Sequence, residues 1–381
     1  MAASSDWRTS LTASERYENI QRIQQVIVNS GLSSGQTAFA IESEAYKSSH
    51  SREEYDAACS SLPSPPTAQA TRTDSPLPDS HVDDPTNEEP GVRIGPYRDC
   101  HYVASGVTAE VYRSRNRALK VITETRDIEP HNPHREAKIL ALLKKPCIPL
   151  LETFRDHEQR FVLVFPYMPL TLATLLDQGP LTATQTKSIF RDILSALASI
   201  HNQGIIHRDI KPSAVLLVSP TGPAYLSDFG TAWHPTLSAA AEPPDAKILD
   251  IGTGAYRAPE VLFGDKSYGP PVDVWGAGVV LAECLHGKLF ESRPVHEDGN
   301  QLGLILSIFK TVGSPTRESW PEAARFRTPP FEMYRFFEAR PWEEILPDVE
   351  GGWRELIAAM VRYDSGRVTA EKALTFQCMG T

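Results

Sequence analysis

The sequence has no pair of closely spaced cysteines. Its five, Cys59, Cys100, Cys147, Cys284 and Cys378, are odd in number and scattered. That argues against a disulfide framework and a zinc site, and predicts a reducing compartment, nucleus or cytoplasm. Long apolar runs are missing too. The longest, Val274 to Leu285, is too short to span a bilayer and contains Glu283, so it reads as a buried helix. The opening MAASSDWRTS has no apolar core, so no secretory signal is expected. Positive charge is in deficit. A formal net charge of −10 disfavours sequence-independent binding to nucleic acid or to an anionic membrane. Internal repeats are absent. What is present is ordinary for a globular protein: 41% hydrophobic and 23% charged residues in a chain of 381, long enough for two domains.

One composition shift divides the chain. From Ser60 to Gly91 it runs SSLPSPPTAQATRTDSPLPDSHVDDPTNEEPG, with seven prolines and almost no large apolar residue. Such a stretch cannot bury enough surface to offset its ordering entropy. Residues 61–92 are therefore expected to be a disordered linker between a short front segment (1–60) and one domain-sized block (93–381).

The front segment has helix signals. Thr12 and Glu15 make a capping box ahead of Tyr17, Ile20, Ile23 and Ile27 on one helical face, with Asn29-Ser30-Gly31 as a stop. Ala38, Ile41 and Ala45 follow at helical spacing, and Ser51 with Glu54 caps a short helix carrying Tyr55 and Ala58. The strings ERYENIQRIQ and AIESEAYKSSHSREEY resemble the KIX domains of transcriptional coactivators and of a Mediator tail subunit, over residues 13–60 and without the long final helix. The resemblance implies a site for a short amphipathic activator helix. A plain helical appendage is the alternative.

In the block from 93 onward the order of motifs matters more than any one of them. Val103-Ala104-Ser105-Gly106-Val107-Thr108-Ala109-Glu110-Val111 lies between two β-like stretches, and alone it would be an ordinary hairpin. Arg117 to Val121 alternates like a strand and carries Lys120. Glu136 sits in HREAKILALL, a helix with Ile139, Leu140 and Leu143 facing inward. An apolar strand, Phe161 to Phe165, precedes Pro166-Tyr167-Met168. The helix TATQTKSIFRDILSALASIHNQG runs into His207-Arg208-Asp209-Ile210-Lys211-Pro212, followed by Asp228-Phe229-Gly230 and Ala258-Pro259-Glu260. Any triplet could be accidental; the whole series could not.

This series resembles the eukaryotic protein kinases over residues 97–381. The strings ILDIGTGAYRAPEVLFGDKSYGPPVDVWGAGVVLAE and NQLGLILSIFKTVGSPTRESWPE, with Arg257 before Ala-Pro-Glu, are similar to the cyclin-dependent branch of the CMGC group. The phosphate loop keeps only its middle glycine, and no PSTAIRE-like sequence precedes Glu136, which argues against cyclin dependence. These departures look most like the divergent fungal kinases that activate cyclin-dependent kinases.

The resemblance implies an α+β bilobal fold, with a small β-rich lobe over 97–166 and a larger helical lobe over 169–381. It implies serine/threonine phosphorylation of protein substrates, other cell-cycle or transcription kinases among them, with ATP and Mg2+, or Mn2+, as cofactors. By motif, Val103, Gly106, Val111, Ala118, Lys120, Glu136, Phe165, Met168 and Asp228 would bind ATP. Met168 would supply the backbone N–H that Pro166 lacks. Lys120 and Glu136 would form the ion pair that positions the phosphates. Asp228 would hold the metal ion. Asp209 would accept the substrate proton, Lys211 would neutralise the γ-phosphate, and Thr253 would bridge the two. Glu260 with Arg367 and Asp273 read as structural, and His207 as a packed core residue. Arg208 would ordinarily pair with an activation-segment phosphate. Counting back from Glu260 places that position on Ile248, which leaves its partner open. The awkward residue is Ala214, where the motif has a metal-binding Asn; a pseudokinase scaffold is the alternative it raises.

Overall fold

The computed structural model describes residues 11, 15, 16, 19, 20, 22, 23, 41, 42, 45, 46, 48, 49 and 51–60 of the front of the chain, then 91–106, 108–124, 129–292, 301–331 and 335–380. The expectations for Thr12, Tyr17, Ile27, the stop at 29–31, Ala38, Val107 and the linker over 61–90 lie outside the described residues. The chain forms two compact units, Met1–Ser114 and Arg115–Thr381.

In the first unit, α1 (Arg52–Ser60) begins at Ser51, whose hydroxyl accepts the Glu54 N–H at 3.1 Å. Its inner residues Tyr55 and Cys59 join Ile20, Ile23 and Ala45 in a small core. Among the described residues of this part of the chain, one charge is fully buried. Glu42 is fully buried, and its carboxylate accepts from Arg16 Nε and Nη2 at 2.8 and 2.9 Å and from the Tyr55 hydroxyl at 2.7 Å. A buried carboxylate is tolerated only with such partners. Burial holds the Tyr55 phenol well above its ordinary pKa, so it remains a donor. The same unit contains an antiparallel meander of β1 (Val92–Ile94), β2 (Tyr97–Ser105) and β3 (Ala109–Ser114), with Tyr102 opposite Tyr112 and a bulge before Ala104.

The second unit has a sheet ordered β4-β6-β5, from β4 (Arg117–Ile122), β5 (Glu152–Arg155) and β6 (Phe161–Pro166). Lys120 pairs with Leu163, and Glu152 with Val164. Between β4 and β5 lies α2 (Pro133–Leu142). This helix stops one residue short of the expected inward Leu143, which is extended (φ −91°, ψ 155°) and half-buried. Lys144-Lys145-Pro146 follows, and a proline disfavours helical backbone in the residue before it.

A second antiparallel sheet, β7 (Leu170–Thr171), β8 (Val215–Leu217) and β9 (Ala224–Leu226), flanks the loop between α3 and the Asp228 turn. Helix α3 (Ala183–His201) starts at a reciprocal Thr182/Gln185 capping box and buries Ile189, Phe190, Ile193, Leu194, Leu197 and Ile200, one helical face. It packs on α4 (Pro271–Leu285), as does α6 (Gly351–Met360). Nearly every residue of α4 is buried, so the apolar run at Val274–Leu285 is a core helix. Gly278 allows the close approach of α6. A Cβ there would stand 2.8 Å from Met360 Cβ and Val361 Cγ2, closer than carbon atoms pack. Helix α5 (Leu302–Val312) brings Phe309 into stacking contact with Phe263. Glu260 and Arg367 form the expected buried pair at 2.6 Å, with the guanidinium 5.1 Å over the Trp275 ring. These elements make the α+β class that the sequence implied.

Candidate active site

The site in the second unit consists of two charged clusters, each assembled by elements distant in sequence. The first is centred on Lys120. Alternation along β4 buries Leu119 and Val121 and turns Lys120 to the other face, where Nζ reaches both Glu136 oxygens at 2.8 and 2.9 Å and Asp228 Oδ1 at 3.1 Å. Burial alone would lower the lysine's pKa, but Glu136 and Asp228 outweigh it and hold the ammonium charged. The same ammonium, chiefly, pulls the Asp228 carboxyl well below its usual range, and Lys211 adds to the pull.

Two backbone devices hold this cluster. Asp228 sits in the left-handed region (φ 61°), uncommon for a residue with a side chain, while Phe229 is buried against the His207 ring at 4.8 Å. The start of α2 is fixed by Asn132, whose side chain accepts the Arg135 N–H at 2.9 Å and whose own N–H donates to Gly230 O at 3.0 Å. The cap thus serves Glu136, one turn further along. Asn132→Ala should lower stability to thermal or urea denaturation by about 0.5–2 kcal/mol, and Asn132→Asp should restore most of the loss. Equal stability of the alanine variant would mean that the cap is idle.

The second cluster is centred on Asp209, nearly buried after the turn that follows α3. The Thr253 hydroxyl donates to its Oδ1 at 2.6 Å, Lys211 Nζ to its Oδ2 at 2.5 Å, and Lys211 also donates to Thr253 at 3.2 Å. Gly252 at φ 76° bends the chain so that Thr253 reaches back, and its carbonyl accepts from Arg257 Nη2 at 3.0 Å. Asp273 anchors the loop from below, accepting the His207 and Arg208 N–H groups at 2.8 Å each and His201 Nε2 at 2.9 Å. His207 is fully buried and contacts Ser227 O at 2.8 Å, a packed residue and not an exposed acid or base.

The remaining expected residues divide by unit. Phe165 is buried opposite Ala118 across β4 and β6, and Met168 is half-buried just beyond β6. Val103, Gly106 and Val111 belong to the first unit. There Val103 is exposed, Gly106 N–H donates to Ala109 O at 2.8 Å, and Val111 pairs with Ala104. Ala214 is buried at the end of a short 3-10 turn, its carbonyl accepting both the N–H and the hydroxyl of Ser227 at 2.9 Å. It therefore lies across from the residue that precedes Asp228.

Three residues near these clusters were not foreseen. His131, just ahead of α2, lies in the field of Asp228, Lys120, Asp209 and Lys211, and burial lowers its pKa. Glu242 is the partner of Arg208, at 2.6 and 2.9 Å, and Arg135 approaches the same carboxylate at 3.8 Å. Ile248, where counting placed the anion, instead donates its N–H to Glu242 Oε2 at 3.1 Å.

Comparison with known proteins agrees with this geometry. The model of the protein kinase domain matches residues 97–378. The serine/threonine-protein kinase csk1 of Schizosaccharomyces pombe is 35% identical over 286 residues, covering 70% of this chain and 89% of that protein. The serine/threonine-protein kinase CAK1 of Saccharomyces cerevisiae is 30% identical over 279 residues, covering 59% of this chain and 76% of that protein. With both clusters inside the matched span, fold and site have one reading between them: the chain belongs to the protein kinase family.

Proposed function

We propose that this kinase transfers the γ-phosphoryl group of ATP to serine or threonine of protein substrates, other cyclin-dependent-type kinases of cell-cycle or transcription control among them. The observation that carries the reading is Lys120 joined at once to Glu136 and Asp228, beside an Asp209 held by Lys211 and Thr253. A vestigial nucleotide site would have no reason to keep two such clusters in register.

Each side chain has a role that follows from its contacts. Lys120, fixed by Glu136, offers its ammonium to the α- and β-phosphates. Asp209 orients the substrate hydroxyl and takes its proton, with its carboxylate pinned on both oxygens. Lys211 lies within reach of the transferred group, and its two acceptors keep it there. Phe165 and Ala118 line the base pocket, and Met168 supplies the backbone donor. Use of ATP with a divalent metal ion goes with the family. The side chain of Asp228 is half exposed, with Oδ1 alone engaged by Lys120, and its depressed pKa keeps it anionic. That fits one cation; magnesium is the ion we propose, with manganese the alternative. Such an ion, when bound, neutralises charge across the phosphates. The front segment is the recruiting element in this reading, its helices taking a short amphipathic activator helix. A nuclear or cytoplasmic place fits five unpaired cysteines.

Magnesium-ATP should raise the melting temperature of the full chain, by the equivalent of about 2.7 kcal/mol when the nucleotide exceeds its Kd a hundredfold. Lys120→Met should remove most of the shift. A melting curve indifferent to ATP would overturn the reading.

A further inference from the structure

We propose that Glu242 is a positioning residue for phosphoryl transfer: its carboxylate occupies the place of an activation-segment phosphate, so that the site assembles without phosphorylation of this segment. The inference rests on the kinase reading above and concerns how that activity is switched on.

Glu242 is almost wholly buried, as is Arg208. Four of the five guanidinium N–H donors are engaged: Nη1 and Nη2 donate to the two Glu242 oxygens at 2.6 and 2.9 Å, Nη1 also to the Tyr268 hydroxyl at 3.1 Å, and Nε to Thr231 O at 2.5 Å. The forked edge that would grip a phosphate is taken by Glu242. A forked pair of this kind is the strong form of a charge-assisted hydrogen bond. On the other side Arg135 is held by Glu129 at 2.9 Å, with the same Nη1 3.8 Å from Glu242.

The sequence neighbours of these arginines give the arrangement its meaning. Arg208 directly precedes Asp209, and Arg135 directly precedes Glu136. One carboxylate thus faces the residues next to the proton acceptor and next to the lysine's partner, on two separate elements. Arg208 also sits at φ 74°, in the left-handed region that a side chain disfavours. Its N–H is pinned to Asp273 and its side chain to Glu242, which together hold that conformation.

The segment is built to keep Glu242 in place. Its carbonyl accepts from Trp233 Nε1 at 2.9 Å and its N–H donates to Ser238 O at 2.8 Å. Trp233 is bridged to Ile206, ahead of the catalytic loop, by two backbone bonds. Lys247 lies 4.9 Å over the Trp233 ring and 5.2 Å over Tyr268, whose hydroxyl donates to Ile248 O at 2.7 Å. Arg208 chiefly offsets the cost of burial for Glu242 and keeps its pKa below the ordinary value, so the charge is permanent at neutral pH. A phosphate would come and go; this anion is encoded.

The test uses the full chain made without other kinases and treated with a phosphatase. Mass spectrometry should find residues 231–252 free of phosphate, and turnover of a serine/threonine peptide should be unchanged by the treatment. Glu242→Gln, which keeps shape and removes charge, should lower kcat about 10²-fold with little change in KM for ATP, the effect of a misplaced catalytic loop. Glu242→Asp should recover most of it. Limited proteolysis within 231–252 should be slow in the wild type, with or without phosphatase, and fast in Glu242→Gln at a temperature where both remain folded. Loss of activity on phosphatase treatment, or a glutamine variant as active and protease-resistant as wild type, would overturn the proposal. If the wild type has no turnover, the kinase reading fails by itself, while the proteolysis comparison still decides the role of Glu242.

Discussion

Asp209→Asn should lower phosphoryl transfer by about 10²–10⁴-fold, the contribution of a positioned general base. The substitution is nearly isosteric, and the loop that carries it is anchored by Asp273, so the fold should survive. What changes is chemistry at two oxygens. One accepts from Thr253 at 2.6 Å and the other from Lys211 at 2.5 Å. An amide can present an oxygen to only one of these donors, and its NH2 then faces the other. Neither orientation leaves a group basic enough to take a proton from a serine or threonine hydroxyl. The nucleotide contacts proposed above lie elsewhere, at Lys120, Glu136 and Asp228, so the melting shift expected from magnesium-ATP should persist. Initial rates on a peptide at saturating ATP, beside that shift, separate the two effects. Undiminished rates would remove Asp209 from the chemistry.

The two clusters were legible in the sequence because each of their members sits in a short motif, and the motifs come in a fixed order. Lys120, Glu136, Asp209, Lys211, Asp228 and Thr253 could be named without coordinates, and the structure brings them together as two groups. Glu242 could not be named. Its position depends on the path of the segment from Thr231 to Gly252, and that path is set by Trp233, Lys247 and Tyr268 packing on one another. Counting residues back from Glu260 crosses an insertion and lands on Ile248, six residues away from the carboxylate. Arg135 was in plain view beside Glu136, but a lone arginine on a helix reads as solvated surface; only its 5% exposure shows otherwise. The front segment repeats the lesson. Helical spacing marks Ile20, Ile23 and Ala45, whereas Glu42 looks like surface until Arg16 and Tyr55 are found closing on it. Periodicity reports which face is apolar, and it is blind to a charge buried with its partners.

Ala214→Asn should raise turnover at saturating ATP by about 10- to 10³-fold, the range found when one well-placed stabilising group is added or removed at a developing charge. Ala214 offers only a methyl group, and Ser213 beside it is exposed. Across the strand pair its carbonyl binds Ser227, the residue before Asp228. A side-chain amide at 214 would add a second oxygen ligand to the one that the proposed function assigns to the Asp228 carboxylate. Asp228 keeps its charge through Lys120, so the present site is weakened and not abolished, and slow transfer is expected from the wild type. The gain in Ala214→Asn should grow with magnesium concentration and shrink with manganese, which is less demanding of its ligands. A readout independent of turnover is the melting shift in nucleotide as magnesium is titrated, which should saturate at lower magnesium in the variant. The melting temperature without nucleotide tells whether the larger side chain is accommodated at this buried position. If the variant is folded, binds magnesium-ATP more tightly and still transfers nothing, and the wild type transfers nothing either, the chain is a nucleotide-binding scaffold and not an enzyme.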